Sequence, residues 1–257
     1  MRKSELWPTL LLMLLLCGGL FYHYDQVIKA PNSTFMGSSH DGLKNYFTPW
    51  YHAKHDSSMV WFEGMNYPYG DHIVFADAQP LLSNSIRVTG LADKTMAIMN
   101  LLMLLSLIPT GWLLFRILRR WKVEVWGAAL SAAAIAFLSP QLLRMNGHYA
   151  LAYSFVVPLI WHLSLRFWDL PNAKRSLALA SVIFIMGWLH PYYVMISAIF
   201  LSAFWLFQTV LAWKDMRFLQ RVLHFGIQVI LPVLAFFILL KLTDPISDRP
   251  SNCLLYT

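Results

Sequence analysis

Residues 95–122, TMAIMNLLMLLSLIPTGWLLFRILRRWK, hold 21 consecutive residues without a charge (95–115), followed by Arg116, Arg119, Arg120 and Lys122. About 20 apolar residues in an α-helix cross the roughly 30 Å hydrocarbon core of a bilayer. A charge-free run of that length ending in a basic cluster reads as a transmembrane helix with its C-terminal end at the cytoplasmic surface. Further apolar runs lie at Trp7–Tyr22, Trp126–Leu138, Tyr149–Leu165, Leu177–Leu189, Val194–Trp213 and Val222–Leu242. Some are shorter than a full span, and neighbouring Tyr, Trp and small polar residues complete them. The expected fold is therefore an all-α, polytopic transmembrane bundle of about seven spans. Composition agrees: 58% of the 257 residues are hydrophobic and only 13% are charged, against about 25% in soluble domains. With 17 Phe, 11 Trp and 11 Tyr, disordered and collagen-like classes are also excluded.

If the spans alternate, Arg2, Lys3, Arg116, Arg119, Arg120, Lys122, Arg166, Lys174, Arg175, Lys214, Arg217 and Arg221 share one side. The short connections opposite contain Arg144, Lys241 and Arg249. Basic residues mark the cytoplasmic side, so the N-terminus is expected in the cytoplasm of a multi-pass protein of the bacterial inner membrane. The net charge of +7 is thereby a topology signal, and no nucleic-acid partner is needed to explain it. Met-Arg-Lys before a short apolar run also fits a signal peptide, but a first span with a basic start is expected to remain as an anchor. Leu16 stands where a lipoprotein signal needs a small residue before Cys17. Cys17 and Cys253 offer neither a disulfide framework nor a cysteine metal site.

The C-terminal CLLYT, residues 253–257, is what TGT CTC TTA TAC ACA encodes, a string resembling a transposase adapter end. It is read as a non-native tail. Residues 1–252 are then expected to be the N-terminal part of the transmembrane domain of a longer protein. Residues 23–94 form its first extracytoplasmic loop.

That loop is far above the usual connector length, and Phe35, Tyr46, Phe47, Trp50, Tyr51, Trp61, Phe62, Tyr67, Tyr69 and Phe75 argue that it folds onto the membrane face. Leu43, Phe47, Trp50 and Tyr51 recur at helical spacing, opposite Lys44, Asn45, Thr48 and His52, which predicts an interfacial amphipathic helix after Asp41. Thr48-Pro49 offers an alternative start for a second helix. The stretch YPYGDHIVFADAQP (67–80) mixes turn residues with a short β-type run and reads as loop.

SSHDGLKNYF (38–47), YPYGDHIVFADAQPLLS (67–83) and MNGHYALAYSFVVPLIW (145–161) together resemble bacterial polytopic proteins related to the GT-C glycosyltransferases. The resemblance implies a membrane glycosyltransferase that takes a sugar from a polyprenyl-phosphate donor at the outer face of the inner membrane. It places an acidic residue of the first outer loop, beside a membrane-lying helix, in the active site; Asp41 matches that position. Many such proteins carry two adjacent acids, whereas here Gly42 follows Asp41.

Glycosyl transfer to a hydroxyl needs a base, charge stabilisation on the departing phosphate and exclusion of water. Asp41 is the candidate catalytic base, with capping of a helix starting at Gly42 as its competing role. Lys44, Arg87 and Arg144 are candidates to neutralise phosphate, against ordinary snorkelling to anionic headgroups. Asp77, His148 and His190 are candidate substrate-binding residues expected to face one cavity with Asp41, against an interfacial belt of amphipathic rings for the two histidines. His52-x-x-His55-Asp56 is too weak a signature to assign metal ligands, and no cofactor is assigned, with a divalent metal left open. Asn32-Ser33-Thr34 matters as a glycosylation acceptor only in a glycosylating compartment.

The expected partners are the lipid-linked sugar donor and membrane lipids, with no acceptor indicated. The alternative is a non-catalytic transporter or lipid-handling protein, and a third reading makes the loop the docking surface of a structural subunit. A transporter calls for ionisable residues at mid-membrane or for broken helices in corresponding halves. The spans contain Pro109, Pro158 and Pro232 but almost no acids or bases at their centres.

Overall fold

A computed structural model describes residues 5–37, 40–211 and 218–246. Arg2, Lys3, Lys214, Arg217, Arg249 and the 253–257 tail lie outside them. Among the described residues the chain is helical apart from one small ribbon. Helix α1 is Leu6–Lys29 and α2 is His40–Lys54. Strands β1 (Trp61–Phe62) and β2 (Asp71–His72) then pair antiparallel, with Trp61 opposite His72. There follow α3 (Pro80–Val88), α4 (Thr95–Leu105), α5 (Leu107–Arg120), α6 (Val125–Phe137) and the short α7 (Pro140–Arg144). The remaining helices are α8 (Val156–Asp169), α9 (Ala173–Gly187), α10 (Tyr192–Leu211), α11 (Phe218–Phe225) and α12 (Leu231–Thr243).

Among the described residues, six helical segments are long and apolar enough to cross a membrane: Leu6–Lys29, Ala92–Arg120, Val125–Arg144, Tyr149–Asp169, Tyr192–Leu211 and Phe218–Thr243. The run expected as a further span at 177–189 is α9, whose 15 residues extend only about 22 Å. It packs against α8, α10 and α12. The loop between the first two spans is also shorter than expected, because α1 continues past Tyr22 to Lys29, with its backbone leaving helical values at Tyr24. The stretch read as plain loop supplies β2, a 3-10 turn at Ile73–Ala76 and the start of α3, where Pro80 occupies the first turn and its missing N–H costs nothing.

Small residues set the packing of the first spans. Ala128, Ala129, Ala132, Ala133 and Ala136 are the buried stripe of α6, and α6 packs on α1 and α5. A Cβ at Gly111 would come within 2.6 Å of Leu16. Close backbone approach through small residues is how helices gain contact area where lipid is as apolar as the side chains. α1 is thus an integral wall of the bundle, with Leu12, Leu16 and Leu20 buried.

Two levels are distinguishable. At one, Arg119 Nε pairs with Glu5 at 3.3 Å and Arg120 pairs with Asp169, joining the start of α1 to the ends of α5 and α8. At the other, Asn32 donates to Asp93 O at 3.0 Å and accepts from Ala97 N–H at 3.2 Å. The 24 residues of α1 separate these levels by about 36 Å. α2, the ribbon and α3 belong to the second level.

Candidate active site at the first loop

Asp41, Lys44, Asn45, Thr48 and His52 lie three, four, seven and eleven residues apart from the first, which puts them on one face of α2. That polar face is turned inward. Asn45, Thr48 and His52 are buried, whereas Leu43 and Phe47 are exposed at 47% and 43%. In a water-soluble helix the apolar stripe would be covered; here it faces outward, as a helix in the membrane interface requires. The helix runs unbroken through Pro49, so Thr48-Pro49 does not open a second one. It starts at His40, which places Asp41 in the first turn and not at the cap; there its charge complements the helix dipole.

Asn45 ties this helix to the segment before α8, since its amide donates to Asp41 O at 2.8 Å and to Gly147 O at 2.7 Å. Tyr149 secures the other side: its hydroxyl accepts from Gly37 N–H at 3.1 Å. A Cβ at Gly42 would lie 2.8 Å from both Gly37 O and Tyr149 Oη. The glycine is required by this close approach, and a second acid after Asp41 has no room.

Two adjoining pockets result. The first, about 460 Å³, is lined by Asp41, Arg144, Asn146, Gly147 and His148. Asp41, Arg144 and His148 are exposed there, and their side chains have no hydrogen-bond partner among the described residues. The second, about 110 Å³, is lined by Asn45, Asp77, His148, His190 and Tyr192. His148 is their common wall, so the four residues expected to face one cavity are divided between two.

Asp77 is the centre of the smaller pocket. Lys44 Nζ stands 3.0 Å from its Oδ2 and His190 Nε2 3.3 Å from its Oδ1. Burial works to raise its pKa, but the His190 hydrogen bond and the Lys44 charge outweigh it and bring the carboxyl down to about 2. His190 Nδ1 accepts the Tyr192 N–H at 3.2 Å, which puts the proton of the neutral ring on Nε2, directed at Asp77. Both Asp77 and Gln79 hold left-handed backbone, with φ of 54° and 49°. Tyr153 Oη supports the second by donating to Gln79 Oε1 at 2.7 Å. Non-glycine residues in this region carry strain that persists where surrounding contacts over-determine it, commonly at functional sites.

Two expectations change. Lys44 does not stand free to meet phosphate, because Asp77 holds it. Arg87 is used to clamp the loop after α2, donating to Ser58 O and, at 2.6 Å, to Ser57 O. The His52-x-x-His55-Asp56 pattern likewise builds structure: His52 Nε2 donates to Ser58 O at 3.0 Å and His55 packs against Trp50 and Tyr51. Among the described residues no three His, Cys, Asp or Glu are grouped to hold a metal ion.

The family model for DUF6311, a domain of unknown function, matches residues 10–249. The chain belongs to the DUF6311 family. No curated protein and no solved structure matches it. The matched region contains every residue of both pockets, so the site belongs to the DUF6311 domain and not to an appended segment. Sequence reading missed Asn45 as the tie between helix and loop and Tyr192 as the group that orients His190. Asn45 was signalled only by its place four residues after Asp41, and the Tyr192 contribution is a backbone N–H that no residue type announces.

The clamp around His52 predicts a pH dependence. Burial lowers the His52 pKa to about 4, so its contribution to stability is present above the ordinary value of 6.5 and lost as pH falls toward 4. Burial raises Asp56 to about 6, so its contribution is present below the ordinary 3.8 and lost as pH rises through 6. Between pH 4 and 6 the two slopes oppose. In His52→Gln only the Asp56 slope remains, and amides of residues 57–62 should exchange faster, after correction for intrinsic rates, as pH rises from 4 to 6. An unchanged exchange profile would refute the compensation.

Proposed function

We propose that this chain is the membrane domain of a GT-C-like glycosyltransferase working at the outer face of the bacterial inner membrane, with a polyprenyl-phosphate sugar as donor. The observation that carries the reading is the pocket holding Asp41, Arg144 and His148 together, at the start of a helix that leaves Leu43 and Phe47 exposed. Asp41 takes the proton of the acceptor hydroxyl as its oxygen bonds to the anomeric carbon. The bond from that carbon to phosphate breaks, and the electron pair leaves with the polyprenyl phosphate, whose charge Arg144 balances. His148 borders the same space and can hydrogen-bond the phosphate or the acceptor. Gly42 leaves no space for an adjacent acid, so the residues present do not fit a paired-acid metal site and no step is routed through a metal.

One observation favours the alternative of a transporter or lipid-handling protein. The last span is interrupted by a π-helical turn at Gly226–Ile230, beside a buried chain in which Trp205 donates to Gln228, Gln228 to Ser176, and Ser176 meets His224. Such breaks occur at functional sites, yet this chain of groups contains no carboxylate. The deciding experiment supplies the full natural protein in vesicles with a polyprenyl-phosphate hexose. Protein-dependent release of polyprenyl phosphate is expected; movement of the lipid without cleavage would favour the alternative.

Orientation has its own test. In a background with Cys17 and Cys253 replaced, Ser57→Cys should react with an impermeant maleimide on intact cells and Lys122→Cys only after permeabilisation. The reverse pattern would invert the topology and remove the outer-face assignment.

A further inference from the structure

The charge state of the smaller pocket carries an inference beyond the transfer reaction, although it rests on that reading for the identity of the ligand. Lys44 and Asp77 cancel, and the remaining lining of Asn45, His148, His190 and Tyr192 adds no carboxylate. The pair is reachable, its side chains being 36% and 27% exposed. Each Asp77 oxygen has one partner and retains acceptor capacity, while Lys44 spends one of its three N–H bonds on Asp77. A hydroxyl group matches this arrangement, donating to the carboxylate and accepting from the ammonium. A carboxylate or phosphate does not, because it meets Asp77 as a like charge and its attraction to Lys44 is already used.

We infer that the Asp77–Lys44–His190 pocket, too small at about 110 Å³ to enclose a whole ring, receives the hydroxyl edge of the donor's sugar ring and selects an uncharged ring by its hydroxyls, rejecting a uronic acid. His190 is a positioning residue in this assignment: with Nδ1 held by the Tyr192 N–H and Nε2 directed at Asp77, it has no free nitrogen to act as a base and instead fixes the carboxylate. Because the two pockets share His148, a ring whose hydroxyl edge enters here has the rest of the donor in reach of the pocket that holds Arg144. The two pockets therefore divide the donor, the paired charges taking the neutral ring and the unpaired cation taking the anion.

The test is equilibrium binding of polyprenyl-phosphate hexose and polyprenyl-phosphate hexuronate to the full natural protein in nanodiscs, with transfer followed in parallel. Lipid and phosphate are the same in both probes, so the affinity ratio isolates the ring. The parent should prefer the hexose by about tenfold or more, since like-charge juxtaposition is strongly discriminating. Asp77→Asn frees Lys44 and should shift the ratio at least tenfold toward the uronate. Lys44→Gln leaves the Asp77 carboxylate without its Lys44 cation and should shift it the other way, which keeps the assignment testable if Asp77→Asn does not fold. A ratio that moves in neither variant, or moves in the same direction in both, overturns the subsite. Binding that follows these ratios with no transfer of either sugar leaves the subsite standing and refutes the glycosyltransferase reading.

Discussion

Asp41→Asn in the full natural protein is expected to lower sugar transfer by roughly two to four orders of magnitude, the range typical for loss of a general base or of transition-state charge. The substitution is chosen for what it preserves. Asp41 sits in the first turn of α2 and its backbone carbonyl accepts from Asn45, so the backbone contact is untouched by the change. The amide has nearly the shape of the carboxylate and remains favourable near a helix start. What disappears is the negative charge and the ability to take a proton. Arg144→Met should cost turnover as well, through the charge on the departing phosphate. Transfer by Asp41→Asn at the parental rate, with unchanged unfolding, would assign Asp41 to helix stability and remove it from the chemistry.

The parts of the fold set by local pattern are legible in the sequence, and the parts set by distant pairing are not. The 95–115 run declares itself because a charge-free length has one physical use in a helix of that size, and it lies within the segment Ala92–Arg120. The aromatic stripe of α2 was equally plain from its spacing. Periodicity gives a stripe without saying which medium it faces, however, and only the buried Asn45, Thr48 and His52 reveal that the polar side is the inner one. α9 reads as a span by hydropathy and is short for one at 15 residues, yet it carries the chain from Asp169, paired with Arg120, to Trp188, whose carbonyl accepts the Leu81 N–H at 2.7 Å. Lys44 reaches Asp77 across 33 residues and His190 reaches it across 113. No spacing rule joins such residues, so Lys44 looked like a free cation. Gly42 was visible as a departure from a paired-acid pattern, but its reason, the approach of Gly37 O and Tyr149 Oη, exists only in three dimensions.

The largest stability effect is expected at Asn100, which is fully buried in the second span. Its amide donates to Pro31 O at 2.8 Å and Thr34 O at 2.9 Å, and its oxygen accepts from Tyr46 Oη. Tyr46 Oη in turn accepts the Met36 N–H at 3.1 Å. One amide therefore joins the end of α1, the approach to α2, and α2 itself to the bundle. Burial raises the Tyr46 pKa, so the phenol stays protonated and must donate. Asn100→Leu fills a similar volume but leaves two carbonyls without their amide donor and the Tyr46 O–H without its acceptor, at about 1–3 kcal/mol for each buried group, or roughly 3–9 kcal/mol if no water enters. Tyr46→Phe alone should cost about 1–3 kcal/mol by the same reasoning. Because the two residues share one bond, the double variant should cost less than the sum of the singles, by an amount measurable in detergent unfolding. Strict additivity would mean that the hub is not a coupled unit, and α2, with Asp41 at its start, would then be held in place by its other contacts.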